Sequence, residues 1–218
     1  MHIEGRVREL VAAFIAMELD IPVVEPAIVD ISPDFVVTLI GKPYYTLASK
    51  STGINVGSKY IKYYSTLPNE IALTSLQEIA AQHIFAFDVL IQNSDRNFEK
   101  PNMITDGNGL VTLDHELGFG FLLAPPFLRN MEPWKINGAD LVWIRKHCLV
   151  KRLKGKISEL DHFSSKLADL NDNFWKKVNE LIPSEWMLSG MVANIKNHVD
   201  LIIEHKVEFI ANIKFVLS

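Results

Sequence analysis

Phe87-Asp88-Val89-Leu90-Ile91-Gln92-Asn93-Ser94-Asp95-Arg96 runs through Asn97 to Lys100 into Pro101-Asn102-Met103-Ile104, and then comes Leu113-Asp114-His115-Glu116-Leu117-Gly118-Phe119-Gly120. The first stretch closes a segment from about Thr74 to Leu90 that is apolar on most sides, which predicts a buried helix. A polar loop from Asn93 to Pro101 follows. Asn102 to Thr105 and Leu110 to Leu113 read as two short strands joined by Asp106-Gly107-Asn108-Gly109, where Gly and Asn tolerate positive φ. A buried helix therefore feeds a polar loop, and the loop feeds a hairpin whose second strand ends in an acidic residue.

That order suits phosphoryl transfer. A loop carboxylate such as Asp95 can accept the proton of an attacking hydroxyl. The amide oxygen of Asn102 and the carboxylate of Asp114 can hold Mg²⁺ on phosphates, since Mg²⁺ takes a few hard oxygen ligands and keeps room for phosphate and water. Each piece alone is ordinary, because Asn and Asp also cap helices and turns. Taken together in this order they point to a kinase-like site. His83 and Asp88, on the apolar helix, are expected to make buried hydrogen bonds rather than do chemistry. Trp134 and Trp143 are expected in the core.

Asn93-Ser94-Asp95-Arg96 with Pro101-Asn102 and Leu113-Asp114-His115 resembles the signature of HipA-like kinases, a more distant version of which the phosphatidylinositol 4-kinases share. Glu9-Leu10-Val11-Ala12-Ala13 with Leu19-Asp20-Ile21-Pro22-Val23 is similar to the helix and strand that follow the family's ATP-lysine strand. Leu181-Ile182-Pro183-Ser184-Glu185-Trp186 is similar to its C-terminal helical region. The resemblance implies an α+β, protein-kinase-like fold with a reduced N-lobe and a mostly helical C-lobe. It implies ATP and Mg²⁺ as cofactors, and transfer of the γ-phosphoryl group to a protein Ser/Thr hydroxyl. Asp95 matches the catalytic aspartate, Asn102 the metal-binding asparagine and Asp114 the metal-binding aspartate; Arg96 and His115 match structural positions. Lys100 falls where related kinases often place the asparagine. The implied partners are a protein substrate and a small regulatory protein, as in a bacterial-type toxin–antitoxin system. No membrane and no direct nucleic-acid contact are implied.

The pattern is incomplete at its front. A full kinase of this type needs a Gly-rich turn and a strand lysine ahead of the first helix, whose glutamate orients that lysine. Few residues precede Glu9 and none is Lys, so the chain reads as starting one sheet late, either completed by an upstream piece or working with a reduced nucleotide lobe. Gly53 and Gly57-Ser58-Lys59 offer a substitute turn and lysine, which makes Glu9 and Lys59 the candidate nucleotide-binding residues. Two readings stay open: a transferase, or a pseudokinase-like binding or regulatory module without efficient transfer.

The division expected is a reduced N-lobe over 1–68, containing a helix, a hairpin and an inter-lobe crossing, and a helical C-lobe over 69–218 carrying the catalytic and metal loops. Within the first, residues 6–19 read as an amphipathic helix, Val23–Ile31 and Phe35–Ile40 as a hairpin around Ser32-Pro33-Asp34, and 41–68 as linker-like. Pro125-Pro126 breaks the chain, and helices are expected over 139–153, 158–168, 172–181 and 188–216.

Of 218 residues, 48% are hydrophobic and 22% charged, the balance of a domain with a real core rather than a disordered chain. A net charge of −4 is unsuited to coating a polyanion. Arg145, Lys146, His147, Lys151, Arg152, Lys154 and Lys156 crowd together, however, either as a solvated helix face or as a docking patch for an acidic partner. Cys148 is the single cysteine, so no internal disulfide forms, and it reads as a small apolar residue. No leader pattern opens the sequence and no apolar run is long enough to span a bilayer, so a cytoplasmic protein is expected.

Overall fold

The structure, a computed structural model, describes residues 2–125, 127, 129–156, 160–188 and 190–218. Its first element, α1 (Ile3–Glu18), buries Val7, Leu10, Val11 and Ile15, and also the small Ala12, Ala13 and Ala16 that let neighbours approach. Pro22 stops it. The segment after it lies along a later strand: Thr112 donates its N–H to Pro22 O (2.8 Å) and Val24 donates to Thr112 O (2.9 Å).

A two-stranded antiparallel ribbon comes next, β1 (Pro26–Ile31) with β2 (Gly53–Ser58), in register from Pro26–Ser58 to Ile31–Gly53. This corrects the predicted hairpin. Ser32-Pro33-Asp34 is a helix start, with Ser32 Oγ accepting from the N–H of Phe35 (3.1 Å) and Pro33 in the first turn. Phe35 thus enters a short helix, α2 (Pro33–Val37), followed by α3 (Tyr45–Ser49). The partner of β1 lies in the stretch read as linker. Gly53 and Gly57-Ser58 are strand residues, Gly57 facing Ala27, and form no Gly-rich turn.

A three-stranded sheet follows in the order β3 (Ser65–Thr66), β4 (Met103–Thr105), β5 (Val111–Thr112). Between β3 and β4 runs α4 (Ser75–Leu90), whose start is a capping box: Thr74 Oγ1 accepts from the N–H of Gln77 and Gln77 Oε1 accepts from the N–H of Thr74. In the β4–β5 turn, Asp106 Oδ1 accepts the N–H groups of Asn108 and Gly109, both at 2.9 Å.

The remainder is helical: α5 (Gly138–Ile144), α6 (Val150–Leu153), α7 (Asp161–Lys166), α8 (Asp172–Leu181), α9 (Met191–Glu204) and α10 (Lys206–Leu217). A small, non-barrel β region over about 26–112 therefore precedes a mostly helical one. The predicted helix 139–153 is broken after Ile144 because the chain turns His147 into the interior. The predicted 188–216 helix divides at His205 (φ −110°, ψ 27°), whose ring stacks on Trp134 at 3.7 Å. The expected start at Ser158 and the residue Pro126 lie outside the described residues, as does Ser189 within the last predicted helix. One hydrophobic cluster joins α1, α4 and the C-terminal helices, and it includes Trp134, Cys148 and, at its edge, Trp143. Burial pushes the Cys148 thiol up to about 12, as suits a packing residue rather than a nucleophile. Among the described residues no helix is long and apolar enough to cross a membrane.

Candidate active site

Helix α4 ends in the core, and its last turn carries Asp88, which is fully buried. A carboxylate there needs partners, and three donors supply them. Asn93 Nδ2 donates to Oδ1 (2.8 Å), while Arg96 Nε (2.6 Å) and His147 Nε2 (2.9 Å) both meet Oδ2. Burial alone would raise the Asp88 pKa, but the Arg96 charge and the bonds from His147 and Arg96 outweigh it and hold the carboxyl below the usual range. His147 Nδ1 accepts the N–H of Leu149 (3.2 Å), so its proton sits on Nε2 and points at Asp88. Burial lowers the His147 pKa against the pull of Asp88, which keeps the imidazole neutral.

Arg96 continues this network into the loop. Its Nη1 reaches the carbonyls of Pro101, at 3.4 Å, and of Asn102. The N–H of Cys148 reaches Arg96 O at 3.2 Å. The loop is thus pinned to Asp88 at its start by Asn93 and held at its end by the buried Arg96 guanidinium, and its outer turn faces outward. Asn97 Oδ1 gathers the N–H groups of Glu99 (2.9 Å) and Lys100 (3.0 Å), closing the outer turn.

Three predicted residues come together on the outer side of that clamp. Lys100 Nζ lies 2.7 Å from Asp95 Oδ2 and 3.0 Å from Asp114 Oδ2. Asn102 Nδ2 donates to the same Asp95 oxygen (3.1 Å) and lies 3.5 Å from Asp114 O. Asn102 (φ 45°) and Asp114 (φ 58°) both occupy the left-handed region, which Asn and Asp tolerate better than other side-chain-bearing residues. From these positions Asn102 reaches Asp95 and Asp114 reaches Lys100. The hydrogen bond to Asp95, then that to Asp114, raises the Lys100 pKa, so its ammonium is a fixed charge.

Helix α1 secures the loop after Asp114. Glu9 accepts the N–H of His115 with one carboxylate oxygen, and Arg8 Nε donates to Glu116 O (2.7 Å). Gly118 follows three residues after His115, where a Cβ would crowd His115 O at 3.0 Å and the Ile91 side chain at 3.2 Å. Lys59 stands apart from this group, just past β2, exposed and paired with Glu25 at 2.8 Å. The structure therefore brings Glu9 beside the Asp114 loop and does not bring Lys59 to Glu9.

Sequence reasoning missed two contributors. Lys100 carries a charge of the right sign inside a loop that closes on its own acid, and that sign was the available signal. His147 reads in sequence as part of the basic cluster, yet it is buried against Asp88, 59 residues away in the chain. Of the same cluster, Lys156 pairs with Glu78 (2.5 Å) and Arg152 donates to Pro68 O. Asp88 makes the buried bonds expected of it, and His83 is half-buried with its ring 5.8 Å from that of His162.

Among the described residues no group of three or more His, Cys, Asp or Glu side chains could hold a metal ion. Two carboxylates do gather around one cation, the Lys100 ammonium, with the Asn102 amide bonded to one of them, so the place accepts positive charge and offers the hard oxygens Mg²⁺ prefers. A small β region before a helical one, with that acidic pair between them, is consistent with a kinase-like domain. A family model described as HipA-like kinase matches residues 1–123, more than half of the 218. The chain belongs to the HipA-like kinase family. No curated protein and no solved structure matches it.

Proposed function

We propose that this is a protein-kinase-like domain that transfers the γ-phosphoryl group of ATP to a Ser or Thr hydroxyl of a protein. The observation that carries the reading is the meeting of Asp95 and Asp114 on a single cation, with Asn102 hydrogen-bonded to Asp95 beside it. Asp95 accepts the hydroxyl proton as the oxygen attacks the γ-phosphorus. The bond from that phosphorus to the β–γ bridging oxygen breaks, and ADP leaves with the electron pair. Asp114 and the Asn102 amide oxygen would hold Mg²⁺, which supplies neutralisation of phosphate charge when bound. Glu9 fixes the Asp114 loop through the His115 amide. Lys59 would have to leave Glu25 to meet a phosphate.

The commitment of Glu9 to a backbone amide, rather than to a lysine, favours a second reading: a binding or regulatory module that keeps the nucleotide site but transfers phosphate poorly. Calorimetry with Mn²⁺ and a non-hydrolysable ATP analogue tests the site common to both, and Asp114→Ala should abolish that binding. Labelled ATP, with the protein itself and dephosphorylated casein as acceptors, separates them. On the transferase reading Asp95→Asn lowers incorporation by at least ~100-fold while analogue binding persists. Incorporation equally feeble in wild type and Asp95→Asn selects the module, and unimpaired binding by Asp114→Ala removes the metal assignment.

A further inference from the structure

Lys100 is not a surface lysine that has drifted onto an acid. Its backbone is held from one side by Asn97, which takes its N–H on Oδ1 (3.0 Å) and donates its own N–H to Lys100 O (3.1 Å). From the other side Pro101 restricts it, and Arg96 grips the Pro101 and Asn102 carbonyls. The ammonium is thereby delivered between Asp95 and Asp114, 2.7 Å from one oxygen and 3.0 Å from the other, with its side chain about half exposed (48%). The two acids are more sheltered, at 16% and 31%.

Two carboxylates sharing one ammonium carry a net charge of about −1, whereas the bare pair would carry −2 and attract a divalent ion far more strongly. Mg²⁺ also draws its oxygens in to roughly 2.0–2.1 Å, closer than an ammonium allows, so both cannot hold the same Asp114 oxygen. We propose that Lys100 is a tethered counter-cation occupying the metal place of the nucleotide-free protein. A divalent ion then enters only when nucleotide phosphates bring enough further negative charge for Lys100 to give up Asp114. The device makes metal loading conditional on nucleotide, and it rests on the metal assignment made above.

Lys100→Met keeps the stem and removes the charge, and the half-exposed position makes the change compatible with folding. Mn²⁺ titrated into the full chain without nucleotide, followed by electron paramagnetic resonance, reads the effect directly. Lys100→Met should bind Mn²⁺ at least ~10-fold more tightly than wild type. Adding Asp114→Ala should erase the gain, and Lys100→Arg should stay as weak as wild type. If wild type binds Mn²⁺ with the ATP analogue but Lys100→Met shows no nucleotide-free gain, the counter-cation is refuted while the metal site stands. A gain of equal size in Lys100→Arg refutes it too, because the charge is then not the cause. If wild type binds no Mn²⁺ even with the analogue, the metal site and the counter-cation fall together.

Discussion

At the scale of single residues, the acid that does most for the loop is one that never meets substrate. Asp88 is fully buried and takes bonds from Asn93, Arg96 and His147, so three separate segments are pinned to one carboxylate. Removing it strands the Arg96 guanidinium, which is 1% exposed, without a counter-charge. Breaking one half of a buried pair costs about 3–5 kcal/mol. Asp88→Ala should lower stability by that amount in urea denaturation, and an undiminished midpoint would show that the pair is not what holds the loop. Protonation acts on the same interior. His198 donates Nε2–H to Leu90 O (2.9 Å) and stacks on Phe121, and burial pushes its pKa down to about 4. A histidine depressed when folded is protonated more readily in the unfolded chain. Its share of stability is therefore complete above about pH 6.5 and is lost as pH falls toward 4, up to about 3 kcal/mol. His147 shifts in the same direction. Urea midpoints should fall across that window, and His198→Gln, which keeps a donor for Leu90 O, should flatten part of the slope. An unchanged slope in that variant would exclude His198 as its source.

At the scale of elements, what could be read in advance was local. Helix α4 is legible over about Thr74 to Leu90 from its apolar run and from the polar loop that opens at Asn93, and the structure adds the Thr74 and Gln77 capping box at its start. The β4–β5 hairpin announced itself through Asp106 and Gly107, the latter at φ 96°. The grouping of Asp95, Asn102 and Asp114 was legible for the same reason, because one loop and one hairpin suffice to fold them together. Pairings across long separations were not legible. Ser32-Pro33-Asp34 serves equally as a turn and as a helix start, and only the distant partner of β1 decides between them. Likewise nothing near His147 shows that an acid waits 59 residues earlier, so the sequence pattern alone carries a helix through it. The division of α9 from α10 at His205 has neither Gly nor Pro to mark it, and it accompanies a stack on Trp134 that sequence does not reveal.

At the scale of the whole molecule, stability is unevenly spread. The shared core gathers α1, α4 and the C-terminal helices, with Ile84, Phe85 and Leu90 fully enclosed. The β1–β2 ribbon rests on it by one side only: Ala27 to Asp30 are exposed, β2 is half-buried, and Arg6 Nη1 ties in through Ile54 O at 2.6 Å. A two-stranded ribbon is marginal by itself, and most of this one's outer face is in water. Amide hydrogen exchange should therefore divide the chain. The α4 amides should exchange only by global unfolding, while the ribbon's ladder amides open locally with protection at least ~100-fold lower. Equal protection in ribbon and helix would show that the two unfold as one unit. The same measurement bears on function when Mn²⁺ and the ATP analogue are added. If the ribbon shares in holding nucleotide, its amides gain protection together with those of Asn102 and His115. A gain confined to the latter pair places the nucleotide on the loop and hairpin alone. Glu9, bonded to His115 from helix α1, is then the one predicted nucleotide residue positioned to respond.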